Sequence, residues 1–114
     1  MKGNQLEMTL LFDYYGDLLT EKQKTCFDLY YNQDLSLSEI AEQAGISRQG
    51  VHDTLARAEV QLAQLEAAVG CIARAQDVQR AADEIEAAAV RLRELPQAQN
   101  DVQTILRFCR ALKE

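Results

Sequence analysis

The chain offers few groups for covalent or metal chemistry. It has one histidine, His52, and three cysteines, Cys26, Cys71 and Cys109, in 114 residues. The cysteines are odd in number, far apart and without a C-x-x-C pair. With a single histidine they build neither a zinc site nor a disulfide framework. They are expected to be buried, inert thiols in a reducing compartment. His52 has a side chain that changes charge near neutral pH, and Asp53 stands beside it. No second histidine, G-x-S-x-G or Cys–His pairing accompanies it, so it reads as a surface group. The residues predict no enzyme, no catalytic set, no cofactor and no metal.

What remains is recognition by hydrogen bonds and charge. The stretch "AEQAGISRQGVHDTL", residues 41–55, brings together Ser47, Arg48, Gln49, His52 and Asp53, with Arg57 just beyond. Arg48 can donate bidentately to a guanine edge or grip a phosphate, and Gln49 can pair with adenine. The blander reading makes Ser47 a helix cap and the others a solvated face. Asp53, one turn past Gln49, would repel a phosphate. Residues 36–58 hold two arginines against three acids. A reader that grips roughly 6–10 phosphates usually brings more cations. A narrow contact, such as one RNA hairpin or a basic protein surface, suits this balance better than autonomous DNA binding. Gly50 costs about 1 kcal/mol relative to alanine inside a helix; closeness to a partner's backbone or neutral drift would explain it equally.

These groups need helices to position them, and no strand pattern occurs. Ser36 and Glu39 form an S-x-x-E capping box that opens a short helix. Gly45 closes it in the left-handed conformation glycine tolerates. Ser47 then caps the next helix, so the segment reads as a helix-turn-helix. Ile40, Ala41 and Ala44 are expected to face inward on the first arm, Ile46 at the corner, and Val51 and Leu55 on the second. Upstream, one helix is predicted over about 6–18 with Leu10, Leu11, Tyr14 and Leu18 inward. Another runs from the Thr20 N-cap to about Asn32, carrying Cys26, Phe27, Leu29, Tyr30 and Tyr31.

Downstream, Val51, Leu55, Ala58, Leu62, Leu65, Val69 and Ile72 recur at heptad spacing. Cys71, Val78, Ile85 and Leu92 form a second series out of phase with the first, which implies a bend near Gly70. Pro96 should end that helix near Leu95. A last amphipathic helix is expected over about 99–112.

Composition divides the chain. Six of seven aromatics lie within the first 31 residues, and thirteen of sixteen alanines lie between Ala56 and Ala98. Residues 1–66 carry five Lys/Arg against eleven Asp/Glu; residues 67–114 carry seven of each. The expected organisation is a helix-turn-helix domain over 1–66 and an alanine-rich helical extension over 67–114. That extension would pack back on the first domain or form a homodimer contact. A chain this long can bury roughly 65% of its unfolded surface, enough for one modest core. The net charge of −6 disfavours a sequence-blind polyanion binder. Asp13, Asp17, Glu21, Asp28 and Asp34 either dock on a positive partner or form ordinary solvated faces. The start, Met1–Glu7, lacks the apolar run of a signal peptide, and no 18-residue apolar span occurs, so a cytoplasmic location without membrane insertion is expected.

The run from Leu11 to Glu66 resembles the YlxM-like family of bacterial proteins, whose helix-turn-helix is similar to sigma factor region 4. The resemblance rests on "LLTEKQ", on "DLYYNQDLSLSEIAEQAGISRQGVHDTLARAE" and, more loosely, on the proline at position 96. Its most distinctive part is Ser47-Arg48-Gln49-x-Val51-x-Asp53, continuing to Arg57 and Glu59, with the aliphatic residue at Leu55 rather than at Thr54. The resemblance implies a non-enzymatic accessory of the signal recognition particle pathway, associated with the particle's GTPase subunit or its RNA in a regulatory role. The competing expectation is a dimeric transcription regulator that reads DNA with Arg48, Gln49 and His52. The expected fold is all-α, about five helices, with a central sigma region 4-like helix-turn-helix followed by long alanine-rich helices.

Overall fold

The computed structural model describes residues 4–114, which fold into helices joined by short turns, with no strand among them. The fold is all-α, with six α-helices rather than about five. They fall into two compact units, the first ending at Cys71 and the second spanning Ile72–Glu114.

In the first unit, α1 (Gln5–Tyr15) is opened by Asn4, whose side chain accepts the Glu7 N–H at 3.1 Å. The chain then tightens into one 3-10 turn, Gly16–Leu18. Leu11, Tyr15 and Leu19 are buried, whereas Tyr14 and Leu18, expected inward, are 47% and 62% exposed. Two series at four-residue spacing compete in this segment, and tertiary contacts choose between them. Phe12 stacks on Phe27 with centroids 4.8 Å apart, and the Tyr15 hydroxyl donates to Glu66 at 2.6 Å.

Thr20 and Gln23 cap α2 (Glu21–Phe27) reciprocally. The expected single helix to Asn32 widens into a π-turn over Asp28–Asn32, where the Gln33 N–H bonds the Asp28 carbonyl at 3.0 Å. The widened turn carries Tyr31 into the core against Phe27, at 4.5 Å between centroids. There the Tyr31 hydroxyl donates to Glu59 Oε1 at 2.6 Å. Burial, and then that carboxylate, raise the Tyr31 phenol above its ordinary value. Burial and Glu66 likewise push Tyr15 up to about 12.

The helix-turn-helix consists of α3 (Leu37–Ala44) and α4 (Arg48–Val69). Phe27, Ile40, Val51 and Leu62 are fully buried, and α4 packs against both α2 and α3. Each such side chain contributes about 1.5–3 kcal/mol on burial. Ala41 is half-buried, and Ala44, expected inward, is exposed. The first heptad series is buried at Val51, Leu55, Ala58 and Leu62, half-buried at Leu65 and 58% exposed at Val69. Gly70 closes α4 with φ +69°, the break expected there.

The second unit is a hairpin of α5 (Cys71–Arg91) and α6 (Gln99–Lys113), joined through a turn and a 3-10 segment at Pro96–Ala98. The α5 helix ends at Arg91 and not near Leu95, because turn bonds from Leu92, Arg93 and Leu95 replace the helical ladder before the proline is reached. Ala89 packs against Val102 and Leu106, while Lys113 reaches back to Asp83 at 2.6 Å and Glu86 at 3.3 Å. The two helices are therefore antiparallel. Of the second heptad series, Cys71, Ile85 and Leu92 are exposed. The buried positions are instead Ile72, Ala82 and Ala89, since small residues let helices approach closely. Cys26 and Cys109 are buried as expected, but Cys71 is not. Burial raises the Cys26 thiol, which makes it a poor nucleophile. No described helix is long and apolar enough to cross a membrane.

Candidate functional site

The tip of the helix-turn-helix is assembled by the N-caps of its two helices, Ser36 and Ser47, and by the Gly45 C-cap between them. Ser36 and Glu39 open α3 through a complete capping box, at 2.9 and 3.1 Å. Bonding to the Ser36 backbone N–H, and then to the Ser36 hydroxyl, holds the Glu39 carboxyl below its ordinary value. Gly45 ends α3 with φ +70°, and its N–H and that of Ile46 both reach the Ala41 carbonyl. Ser47 then caps α4, its Oγ accepting the Gly50 N–H at 2.9 Å.

The glycine at position 50 has a local packing consequence. A Cβ there would lie 3.1 Å from Ser47 Oγ, the atom that makes the cap. Thr54 also donates its hydroxyl to the Gly50 carbonyl at 2.8 Å. The glycine therefore has a packing role independent of any partner.

Ser47, Arg48, Gln49, His52, Asp53 and Arg57 all lie on the exposed surface of this tip. Asp53 is their hub. Gln49 Nε2 donates to Asp53 Oδ1 at 2.9 Å, and His52 Nδ1 lies 3.3 Å from the same oxygen. The His52 contact, then the Gln49 contact, hold the Asp53 carboxyl below its ordinary range, with a smaller contribution from the charge of Arg57. Gln49 is thus engaged at its amide nitrogen and keeps its carbonyl oxygen for a partner. Arg48 differs. It occupies the first helical position of α4, where the aligned peptide dipoles place positive charge, and no acid occupies that first turn. A cation there is disfavoured by about 0.3–1 kcal/mol. Among the described residues no carboxylate lies within ion-pair distance of Arg48.

Beside this face lies a cavity of about 60 Å³, lined by Tyr30, Leu37, His52, Leu55, Ala56 and Glu59. It has room for one or two waters and no more. No described group of His, Cys, Asp and Glu could hold a metal ion. A larger groove, about 600 Å³, lies within the second unit, and Arg93, Arg107 and Arg110 line it. The sequence reading missed it. The available signal was the spacing of Arg107 and Arg110, one turn apart on one flank of α6; joining Arg93 to them needed the hairpin.

The chain is similar to several bacterial proteins. The UPF0122 protein of Thermoanaerobacter sp. strain X514 is 41% identical over 114 residues, covering 100% of this chain and 97% of the relative. The UPF0122 protein of Desulforamulus reducens is 53% identical over 68 residues, covering 60% of this chain and 58% of its own. That of Symbiobacterium thermophilum is 44% identical over 81 residues, covering 71% and 76%. Residues 2–102 match the pattern of UPF0122, the family described as "helix-turn-helix protein, YlxM / p13 like". With its capped turn, its buried α3–α4 seam and these relatives of near-equal length, the chain belongs to the UPF0122 family of YlxM/p13-like proteins.

Proposed function

We propose that the chain is a non-enzymatic, cytoplasmic regulator of the signal recognition particle that binds the particle's GTPase subunit, its RNA, or both. The contact surface is the α4 tip: Ser47, Arg48, Gln49, His52, Asp53 and Arg57. The observation that carries this reading is Arg48, set without an ion-pair partner at the positive end of α4, with Gln49 and His52 tied to Asp53 beside it. One focused cation flanked by a tethered carboxylate suits a narrow contact on a defined partner. It does not suit a long run of phosphates, which needs many cations. Membership of the YlxM-like family supports the choice of particle. Titrating the full chain against the purified particle RNA and the GTPase subunit tests it, with Arg48→Gln expected to weaken binding at least tenfold. Absence of binding to either component at physiological salt refutes it.

The helix-turn-helix itself favours a second reading, a dimeric regulator that reads DNA with Arg48, Gln49 and His52. It requires sequence-selective binding that weakens steeply with salt; a random DNA pool returning no enriched motif sinks it. For either reading we assign a homodimer to the second unit, where Ile85, Leu92, Phe108 and Leu112 are exposed. Light scattering that finds a strict monomer at micromolar concentration excludes the dimer.

A further inference from the structure

The groove of the second unit has a composition at odds with the rest of the chain. In a protein of net charge −6, its charged lining is three arginines and no acid. Arg107 and Arg110 project from one flank of α6, and Arg93 comes from the turn that follows α5. Of the seven acids of this unit, three are engaged elsewhere: Asp77 pairs with Arg80, and Asp83 and Glu86 hold Lys113. Among the described residues no carboxylate lies within ion-pair distance of any of the three arginines. Arg107 also lies over the Phe108 ring, 5.2 Å from its centroid, and with no acid in the lining an anion entering the groove meets three guanidinium groups without a competing carboxylate.

We infer that this groove binds the phosphodiester backbone of a nucleic acid, as a contact separate from the helix-turn-helix tip. The guanidinium fork matches carboxylate as well as phosphate, and three features taken together fit a phosphodiester backbone. The guanidinium fork matches two phosphate oxygens at once, and a groove of about 600 Å³ exceeds what a lone inorganic ion needs. Gln99 and Gln103, one turn apart on the same wall, add neutral donors and acceptors of the kind that meet sugar hydroxyls and base edges. The groove also lacks anchors for an acidic peptide. Helical peptides dock by placing apolar side chains into an apolar groove. The apolar floor here is Val102 and Leu106, already only 3% and 9% exposed through packing on Ala89.

The inference concerns a surface different from the α4 tip, and it holds whether or not the particle is the partner. It is tested with the full chain and three fluorescent probes of equal charge: an RNA hairpin unrelated to the particle, a DNA hairpin, and polyglutamate. Affinity for each is measured from 50 to 200 mM salt. At about 0.7–0.9 released counterions per phosphate contact, the R93Q/R107Q/R110Q variant is expected to lower the log-affinity versus log-salt slope by about 2. The lysine triple variant R93K/R107K/R110K keeps the charge and should keep the slope within about 1. Arg74→Gln, in the same unit but outside the groove, should leave the slope unchanged. Circular dichroism of each variant confirms that the hairpin is folded. Loss of slope on RNA alone, on DNA alone or on both supports the inference and identifies the source of the phosphates. The inference is overturned by an unchanged slope in the folded glutamine variant. It is equally overturned if the wild-type chain binds neither nucleic acid, or if it binds polyglutamate as tightly as either. Arg48→Gln distinguishes the two proposals, since it should weaken binding to the particle without altering the slope on the unrelated hairpin.

Discussion

Gly50 and Ser47 provide the sharpest test of how the helix-turn-helix tip is built. The perturbation is Gly50→Ala alone, Ser47→Ala alone, and both together. Alanine at position 50 gains up to about 1 kcal/mol of helix propensity over glycine. In the intact chain its Cβ would meet Ser47 Oγ at 3.1 Å, and that oxygen is held by its 2.9 Å bond to the Gly50 N–H. Relieving the contact means moving the cap, which is worth about 1 kcal/mol. The two effects should cancel, so Gly50→Ala is expected to shift stability by less than about 0.5 kcal/mol. Once Ser47 is alanine, the nearest remaining atom is Ile46 Cδ1 at 3.7 Å, an ordinary contact. In that background Gly50→Ala should stabilise by nearly the full 1 kcal/mol or so, giving a coupling of about 1 kcal/mol. The assay is urea unfolding followed by tyrosine fluorescence. The chain has no tryptophan, and all four tyrosines lie in the first unit, so the signal reports that unit alone. Additivity of the two substitutions within about 0.3 kcal/mol would falsify the packing argument and return the glycine to partner contact or neutral drift.

Three further outcomes are expected. Tyr31→Phe removes the 2.6 Å bond to the Glu59 carboxylate and should destabilise the first unit by about 1.5–3 kcal/mol in the same assay; a loss below about 0.5 would show that the bond is not made in solution. Gly45→Ala places a Cβ in open space but at φ +70°, so its cost of about 1–2 kcal/mol is backbone strain alone, and Gly45→Asn should recover part of it. Glu39 has its folded pKa below its ordinary value of 4.5, so its stabilisation is complete above that value and drains away as pH falls through the folded one. Glu39→Gln should therefore flatten the acid limb of a stability–pH profile below pH 4.5, and an identical limb in both proteins would contradict the capping-box cause.

Local signals made the helix-turn-helix legible. Ser36, Glu39, Gly45 and Ser47 act through backbone groups no more than four residues away, so the sequence contains the whole interaction. Nonlocal choices were not legible. Whether Tyr14 or Tyr15 turns inward is decided by Glu66, fifty-one residues from Tyr15, and both phases fit a regular helix equally well. The π-turn at Asp28–Asn32 was unreadable for a similar reason: Tyr31 reaches Glu59, twenty-eight residues on, only if the turn widens. In the second unit, large side chains suggested a face through Ile85 and Leu92. The hairpin instead closes over Ala89, and Ala82 is buried on the same helix; the value of both lies in how little space they fill. At the candidate site the residue types were readable, but the tether of Gln49 and His52 to one oxygen of Asp53 was not, since it depends on rotamers.

The junction after Gly70 has a practical consequence. The Cys71 N–H donates to the Tyr15 hydroxyl at 3.1 Å, and that hydroxyl is itself held by Glu66, so the backbone is fixed where α5 begins. The residue at this anchored point is an exposed free cysteine, whereas the other two cysteines are buried. The natural chain thus carries a selective attachment point for one dye or spin label, placed where the first unit ends. A label there would report changes at the Tyr15–Glu66 junction when a partner engages, with no engineered residue.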